Sequence, residues 1–285
     1  MPDARKHLSV LASEWEGCTK CSLGEHREKT GGSFVFGEGA PRSIMLIGEG
    51  PGRVEEAEGR PFCGPSGQLL RGVLNKLGVT QYYLSNCVSC RSCSIVTNPD
   101  GTPMLKKFGG RTPQPLYRDE PPTPPQVAAC RPRLLEEIYI VDPVVIVALG
   151  AQAATALAQE SVAILSERGK ERTIEVPGAA FKASLTDKRG VWMRKSGGQT
   201  AYPVVENTVR YLMIPTLHPA FIMRKLADRG QNSPFRQFVN DLRSAARVYE
   251  RYMLEAFGVE PTGASNVSDD EVMQDNSEQE NIDYE

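Results

Sequence analysis

The chain has 285 residues, of which 40% are hydrophobic and 24% are charged, enough for one large α/β domain or two smaller ones. A mean hydropathy of -0.34, with no apolar stretch near the roughly 18 residues that a membrane span needs, excludes a membrane protein. The N-terminus is polar and charged, so we predict no secretory signal and an intracellular location.

Charge is distributed unevenly, although the formal net charge is only -2. Residues 258–285 hold nine acidic side chains and no Lys or Arg, which leaves 33 basic against 26 acidic side chains in residues 1–257, a net charge of +7. The last segment is also poor in aromatic residues, which predicts a disordered acidic tail. The basic body suits a polyanion such as nucleic acid, although many soluble domains carry similar charge without binding one.

Four short apolar segments predict buried parallel strands, at residues 43–48, 82–88, 143–149 and 209–217. Helical patterns occupy residues 67–77, 125–141, 150–159 and 233–257. This alternation predicts an α/β fold, a three-layer sandwich with a central, mostly parallel four-stranded sheet. Ligands in such folds bind at the carboxyl ends of the strands.

Two segments without clear periodicity interrupt the pattern, at residues 92–125 and 161–208. We interpret both as long loops inserted into one domain that spans residues 1–257. Loops of this length in a compact domain are usually functional or disordered.

The chain has seven cysteines, at positions 18, 21, 63, 87, 90, 93 and 130. Without a secretory signal, clustered cysteines indicate metal binding, redox chemistry or packing rather than a disulfide framework. Cys18 and Cys21 form a CxxC motif, whose two thiolates can ligate one metal centre that needs two more ligands. Cys90, after a predicted strand, and Cys130, at the start of a helical segment, are the best partners. Unrelated buried cysteines are the alternative.

A glycine-rich turn, residues 48–52 (GEGPG), directly follows the first predicted strand. Gly50 and Gly52 let the backbone approach a ligand closely, and Glu49 is presented at the strand end. The turn lacks the GxGxxG spacing of dinucleotide sites, so by itself it indicates only a turn. Phe62 follows in a loop stiffened by Gly and Pro, where it would either stack on a base or fill the core.

Two polar residues stand at the ends of other predicted strands. The amide of Asn86 can donate and accept hydrogen bonds together, which is what a uracil-like edge requires. His218 is one of only three histidines and precedes a proline. A structural asparagine and a buried, hydrogen-bonded histidine are the ordinary alternatives.

Together these motifs resemble the family 4 uracil-DNA glycosylases, the iron-sulfur branch of the uracil-DNA glycosylase superfamily. The resemblance covers roughly residues 15–245 apart from the two inserted segments. The matches run in order through residues 18–21, 48–52, 59–62, 67–70, 86–90, 128–130, 145–150, 168–170 and 218–220.

The resemblance implies hydrolysis of the N-glycosidic bond of deoxyuridine in DNA, after base flipping, without a lyase step. It implies a [4Fe-4S] cluster, for which structural zinc is the alternative, on Cys18, Cys21, Cys90 and Cys130. The expected partner is uracil-containing DNA, bound by a monomeric cytoplasmic or nucleoid-associated protein. Replication or repair proteins are expected at the inserted segments or the acidic tail.

The resemblance also implies roles for individual side chains. Phe62 would stack on the flipped base, Asn86 would bind its polar edge, and His218 would stabilise negative charge on the departing uracil. Glu49 would place water and stabilise a cationic sugar, and Glu55 is a second candidate for that role.

A group of four residues that lies beyond His218 in the sequence is expected to contact DNA. Ile222 and Met223 are candidates for an apolar wedge that fills the gap left by the base, and Arg224 and Lys225 are candidates for phosphate contacts.

The chain also departs from the family. The interval between Cys90 and Cys130 is longer than usual, Cys63 replaces a usual valine, and Arg53 and Val54 replace a more acidic stretch. These changes keep two alternatives open: a glycosylase for another deaminated or modified base, and a catalytically altered DNA-binding or protein-interaction module.

Overall fold

A computed structural model of the protein describes residues 4–106, 113–177, 208–228, 230–259 and 272. The helices in these ranges are α1 (Ala4–Glu16), α2 (Ser22–Thr30), α3 (Arg53–Glu58), α4 (Pro65–Lys76), α5 (Pro124–Val141), α6 (Ala151–Ala158), α7 (Ile164–Glu167), α8 (Pro219–Met223) and α9 (Pro234–Phe257). The strands are β1 (Glu38–Gly39), β2 (Ile44–Gly48), β3 (Tyr82–Asn86), β4 (Cys93–Ile95), β5 (Leu105–Lys106), β6 (Gln114–Pro115), β7 (Tyr117–Asp119), β8 (Val145–Leu149), β9 (Arg172–Pro177) and β10 (Thr208–Thr216).

The main sheet has six strands in the order β1-β3-β2-β8-β10-β9. The inner four, β3, β2, β8 and β10, run parallel, which confirms the predicted mostly parallel sheet. The antiparallel edge strands β1 and β9 are two more than the sequence predicts. β1 has only two residues and shows no periodicity, and β9 lies in a segment interpreted as an inserted loop.

Helices cover both faces of this sheet. In β2, Ile44 and Leu46 pack in one apolar cluster with side chains of α4 and α9. The alternate residues, Met45 and Ile47, pack in a second cluster with side chains of α1, α5 and α6. Because successive strand residues point to opposite faces, the sheet separates two cores, and the three-layer architecture follows.

The four predicted helices are confirmed within two residues at each end. Proline occupies the first turn of α4, α5 and α9, where its missing N–H leaves no bond unmade. Thr123 and Gln126 form a reciprocal capping box at the start of α5. Gly258, with φ of +66°, ends α9 in the left-handed conformation.

The inserted segments are partly folded rather than plain loops. The first contains two small antiparallel pairs, β4 with β7 and β5 with β6, and residues 107–112 lie outside the described part. The second contributes α7 and β9, and residues 178–207 are likewise outside it. The predicted disorder of the acidic tail also falls outside the described residues, apart from 258, 259 and 272. None of the described helices has both the length and the apolar character to cross a membrane.

Candidate active site and thiol-lined hollow

The parallel register brings the predicted site residues to one edge of the sheet. Gly48, the last residue of β2, pairs with Asn86, the last residue of β3. On the other side β8 and β10 end together, with Leu149 opposite Thr216. Glu49 therefore follows one inner strand, and His218 lies two residues beyond another. We call this edge, with Glu49, Phe62, Asn86 and His218, the pocket edge.

Phe62 and Asn86 converge on Gly48. A Cβ atom at Gly48 would lie 2.5 Å from Asn86 Oδ1 and 2.6 Å from Phe62 Cζ, so a larger residue would displace one of them. Asn86 is 4% exposed, and the structure gives its side-chain amide no hydrogen-bond partner among the described residues. This amide is therefore available both to donate to a ligand and to accept from one.

The loop that carries Phe62 is braced from several sides. Phe62 has φ of +51°, a left-handed conformation that is uncommon for an aromatic residue. Arg71 Nε donates to the Phe62 carbonyl at 3.1 Å. Gly67 passes so close that a Cβ there would meet the same carbonyl oxygen at 2.1 Å. The surrounding structure therefore holds the ring in place at a conformational cost.

His218 is a neutral hydrogen-bond donor in this structure. It caps the N-terminus of α8, where its Nδ1 accepts from the backbone N–H of Ala220 at 3.2 Å, so the ring proton lies on Nε2. Burial, with a further contribution from the nearby Arg224 charge, lowers the pKa of His218 to about 4. Gly150, with φ of +92°, permits the close packing of this ring, since a Cβ there would lie 3.1 Å from His218 Cβ.

The two candidate carboxylates have different surroundings. Glu49 is half-buried, and burial raises its pKa above the ordinary carboxyl value. Glu55 is 8% exposed and accepts from the backbone N–H of Gly64 at 2.9 Å, which ties α3 to the loop carrying Phe62. Gly52 leaves room for this carboxylate, because a Cβ there would lie 2.9 Å from Glu55 Oε2. Within the part of the chain that the structure describes, the Glu55 carboxylate therefore has a hydrogen bond to the backbone and the Glu49 carboxylate has none.

A hollow with about 300 Å³ of empty space, open solvent included, lies on another part of the surface. Its lining includes the four cysteines chosen from the sequence, Cys18, Cys21, Cys90 and Cys130. We call it the thiol hollow. No group of three or more His, Cys, Asp or Glu side chains within the described ranges is arranged to hold a metal ion.

The other three cysteines lie outside the lining of this hollow. The Cys63 thiol donates to the Arg60 carbonyl at 3.3 Å, Cys87 is buried in the core, and Cys93 Sγ lies 3.6 Å from His26 Nε2. Within the hollow, burial raises the pKa of Cys90 to about 12, an effect that the Arg27 charge partly offsets. Thiolates here thus need a bound cation or a positive charge for stability.

The residues expected to contact DNA divide into buried and exposed ones. Ile222 is 0% exposed and packs in the core, so it does not fit the role of a wedge. Met223 is partly buried, whereas Arg224 and Lys225 are exposed. Leu165 on α7 is 76% exposed and lies in the second inserted segment, which shows no periodicity that would predict an exposed apolar side chain. α7 lies near the end of β10, since Gly169 N–H bonds to the Pro215 carbonyl.

Comparison with known proteins agrees with this geometry. Residues 36–243 match the uracil DNA glycosylase superfamily. The chain is similar to a type-4 uracil-DNA glycosylase of Pyrobaculum aerophilum, with 32% identity over 79% of this chain and 88% of the relative. It is also similar to a type-4 uracil-DNA glycosylase of Thermotoga maritima, with 30% identity over 76% of this chain and 83% of the relative. The chain therefore belongs to the type-4 branch of the uracil DNA glycosylase superfamily.

Proposed function

We propose that this protein is a monofunctional glycosylase that extrudes deoxyuridine from DNA, hydrolyses its N-glycosidic bond and leaves an abasic site. The observation that carries the proposal is the meeting at one sheet edge of three groups: an amide with no hydrogen-bond partner among the described residues, a buried aromatic ring, and an imidazole whose Nε2 can donate. The names of the two relatives support the same reaction.

In the proposed mechanism, the pocket edge recognises the base before the bond breaks. Phe62 stacks on the face of the flipped uracil, and the Asn86 amide both donates to and accepts from its polar edge. Gly48 lies where the backbone must pass close to both groups, and Gly50 passes close to Val88, since a Cβ there would lie 2.8 Å from Val88 Cγ2. Thymine and cytosine differ from uracil in size or in the donor pattern, so the same contacts disfavour them.

Bond breaking then develops charge of opposite sign on the two fragments. The His218 Nε2–H donates to the oxygen on which the departing uracil gathers negative charge, and a neutral donor fits a pKa of about 4. The Glu49 carboxylate stabilises the cationic sugar and orients the attacking water. No amine belongs to this set, so no Schiff base forms. Glu55 supports this arrangement indirectly, because its bond to the Gly64 N–H holds the loop that carries Phe62.

The thiol hollow suits a [4Fe-4S] cluster held by Cys18, Cys21, Cys90 and Cys130. Four cysteines around one hollow are the donor set that such a cluster requires, although four thiolates also suit zinc. When bound, the cluster supplies a cross-link between segments that are distant in sequence. Iron and sulfide analysis of purified protein, with its visible spectrum, tests this assignment. A colourless preparation containing one zinc per chain would overturn it.

Uracil-containing DNA is the proposed partner, bound by a monomer inside the cell, with Met223, Arg224 and Lys225 facing the duplex. Additional proteins would bind at the inserted segments or the tail. The net charge of +7 on residues 1–257 supports the assignment of DNA as the partner, because a basic protein attracts a polyanion.

Incubation with a uracil-containing oligonucleotide followed by alkali tests the reaction. We expect strand scission with the wild type and with Asn75→Ala, an exposed change on α4, and much weaker scission with Asn86→Ala. DNA binding without scission would instead favour a binding module, above all if Glu49→Ala and His218→Ala match the wild type in every assay. Scission only with another base in a substrate panel would identify a different glycosylase.

A further inference from the structure

Arg133 connects the pocket edge to the thiol hollow through a single buried side chain. It lies in α5 and is 0% exposed. Its two terminal nitrogens contact acceptors on both β3 and α5. These acceptors are Ser85 Oγ at 3.2 Å, the Asn86 carbonyl at 2.6 Å, the Cys87 carbonyl at 3.1 Å, Cys130 Sγ at 3.8 Å and a carboxylate oxygen of Glu137.

These contacts are chemically selective for arginine. A planar guanidinium offers donors in several fixed directions, whereas lysine offers a single charged point. Glu137, one helical turn further along, also has a fully buried side chain and accepts from Tyr83 and Ser85. Because removal of two charges from water is costly, an apolar pair would fill this space with less penalty. An apolar pair, however, could not donate hydrogen bonds both to the carboxyl end of β3 and to the Cys130 thiol.

The strand end in question carries the base-reading amide. The Asn86 side chain belongs to the pocket edge, while its own carbonyl accepts from Arg133. The same guanidinium nitrogen reaches the sulfur of Cys130, which lines the thiol hollow. The backbone from Asn86 to Cys90 is a second connection, yet it joins Asn86 to a different thiol.

We propose that Arg133 is a positioning residue that fixes the carboxyl end of β3, and with it the Asn86 amide, relative to the Cys130 side of the thiol hollow. The inference rests on the proposed function, since it assigns to Asn86 the recognition of uracil. A centre bound at the thiols would then influence base binding only through the alignment of the Asn86 amide, which Arg133 holds.

The test compares Arg133→Met with Arg133→Lys and with Glu137→Gln as the matched control. Glu137→Gln removes charge from the same buried network but leaves the guanidinium contacts with Asn86, Cys87 and Cys130 in place. Arg133→Lys keeps the buried positive charge, so it remains informative if the methionine variant fails to fold. The measurements are affinity for free uracil, iron per chain, the visible spectrum, and hydrogen–deuterium exchange of the Cys87 and Val88 amides.

We expect Arg133→Met to bind free uracil about tenfold more weakly, the order of effect of one lost charged hydrogen bond, with iron content retained. The visible band should shift, because hydrogen bonds to ligand sulfurs tune such centres. The affinity of Arg133→Lys for free uracil should lie between those of the wild type and Arg133→Met. Glu137→Gln should bind uracil within about twofold of the wild type, although its melting temperature should be lower. Equal losses in Arg133→Met and Glu137→Gln, or unchanged affinity in a folded Arg133 variant, would refute the positioning role.

Amide exchange separates this inference from the proposed function. The Cys87 and Val88 N–H groups donate to the Gly48 and Glu49 carbonyls, at 2.9 and 3.3 Å, so their protection reports the position of the strand end without substrate. If the wild type releases no uracil, the proposed function fails, but faster exchange in both Arg133 variants than in Glu137→Gln would still support the positioning role. Equal exchange in all three variants would refute it.

Discussion

The pocket edge and the thiol hollow are built in different ways. At the pocket edge, three of the four groups lie at or just beyond the ends of hydrogen-bonded parallel strands, so the register of the sheet sets their spacing. In the thiol hollow, the thiols come from the segment before α2, the segment after β3 and the first half of α5. No sheet joins these three segments at the hollow among the described residues. The sheet register therefore sets the spacing of the pocket edge, whereas no strand pairing among the described residues sets the spacing of the thiols.

This difference extends to electrostatics. Around His218 and Glu49, burial favours the neutral imidazole and disfavours the carboxylate, and no bound ion is needed to explain either state. In the hollow, burial disfavours the thiolate of Cys90. The proposed cluster, when bound to thiolates, would supply both charge compensation and a cross-link between the three segments.

Removal of a thiol from the hollow should have the largest effect. We expect Cys130→Ser to lose most of its iron and much of its thermal stability, because structural metal centres contribute on the order of 10 kcal/mol to folding. Cys87→Ala is the matched control, since Cys87 is 2% exposed but outside the hollow, and it should keep its iron. Iron analysis and thermal melting decide the outcome. Equal iron loss in both variants would mean that burial of cysteine, rather than lining of the hollow, determines binding.

At the pocket edge, His218→Ala should reduce kcat about 10²–10³-fold, the usual cost of one lost donor to a developing anion. The substitution also removes the cap of α8, which costs about 1 kcal/mol of stability. His218→Asn separates the two effects, because asparagine is a good capping residue but does not place a donor where Nε2 lies. We expect single-turnover rates to fall in both variants and the melting temperature to fall only in the alanine variant. A normal rate in His218→Asn would remove the imidazole from the mechanism.

The inner strands, the glycine turn and the grouping of Cys18, Cys21, Cys90 and Cys130 could be predicted from the sequence, because each has a local signal. Strand ends in a parallel sheet share an edge, so Glu49, Asn86 and His218 could be placed together without coordinates. The choice of Cys130 over Cys93 followed from its position at a helical segment.

Other features depend on tertiary contacts that local patterns do not encode. Ile222 lies shortly after His218 and Pro219, where the proline indicates a loop. The short helix α8 nevertheless turns the Ile222 side chain into the core. Arg133 lies in α5 with Glu137 one turn away, an i,i+4 pair that normally indicates an exposed helix face. Only the packing of α5 against the sheet shows that both are buried. Glu55 is likewise a second candidate for the role of Glu49 by sequence, and only its bond to the Gly64 N–H shows that it supports a loop.

The pH dependence should distinguish the two ionisable groups of the pocket edge. In the proposed mechanism Glu49 acts as a carboxylate, and burial raises its pKa. We therefore expect kcat/KM to fall about tenfold per pH unit below a midpoint that is higher than that of an ordinary glutamate. His218 has a pKa of about 4 and stays neutral above that point, so it does not set this limb. The residual activity of Glu49→Gln should therefore persist to lower pH. An unchanged acid limb in that variant would assign the limb to another group.

The smallest expected effect concerns the cations beyond the pocket edge. Ile222 anchors α8 in the core, and the exposed Lys225 follows the helix at the same end of the molecule as His218. If Lys225 contacts one phosphate, Lys225→Gln should reduce the slope of log affinity against log salt by about 0.9, roughly a threefold change between 50 and 200 mM salt. Arg210→Gln is the control. Arg210 is also exposed, but it pairs with Glu175 and lies in β10, six residues before the strand ends near the pocket edge. Equal slopes for the wild type and both variants would show that Lys225 contacts no phosphate.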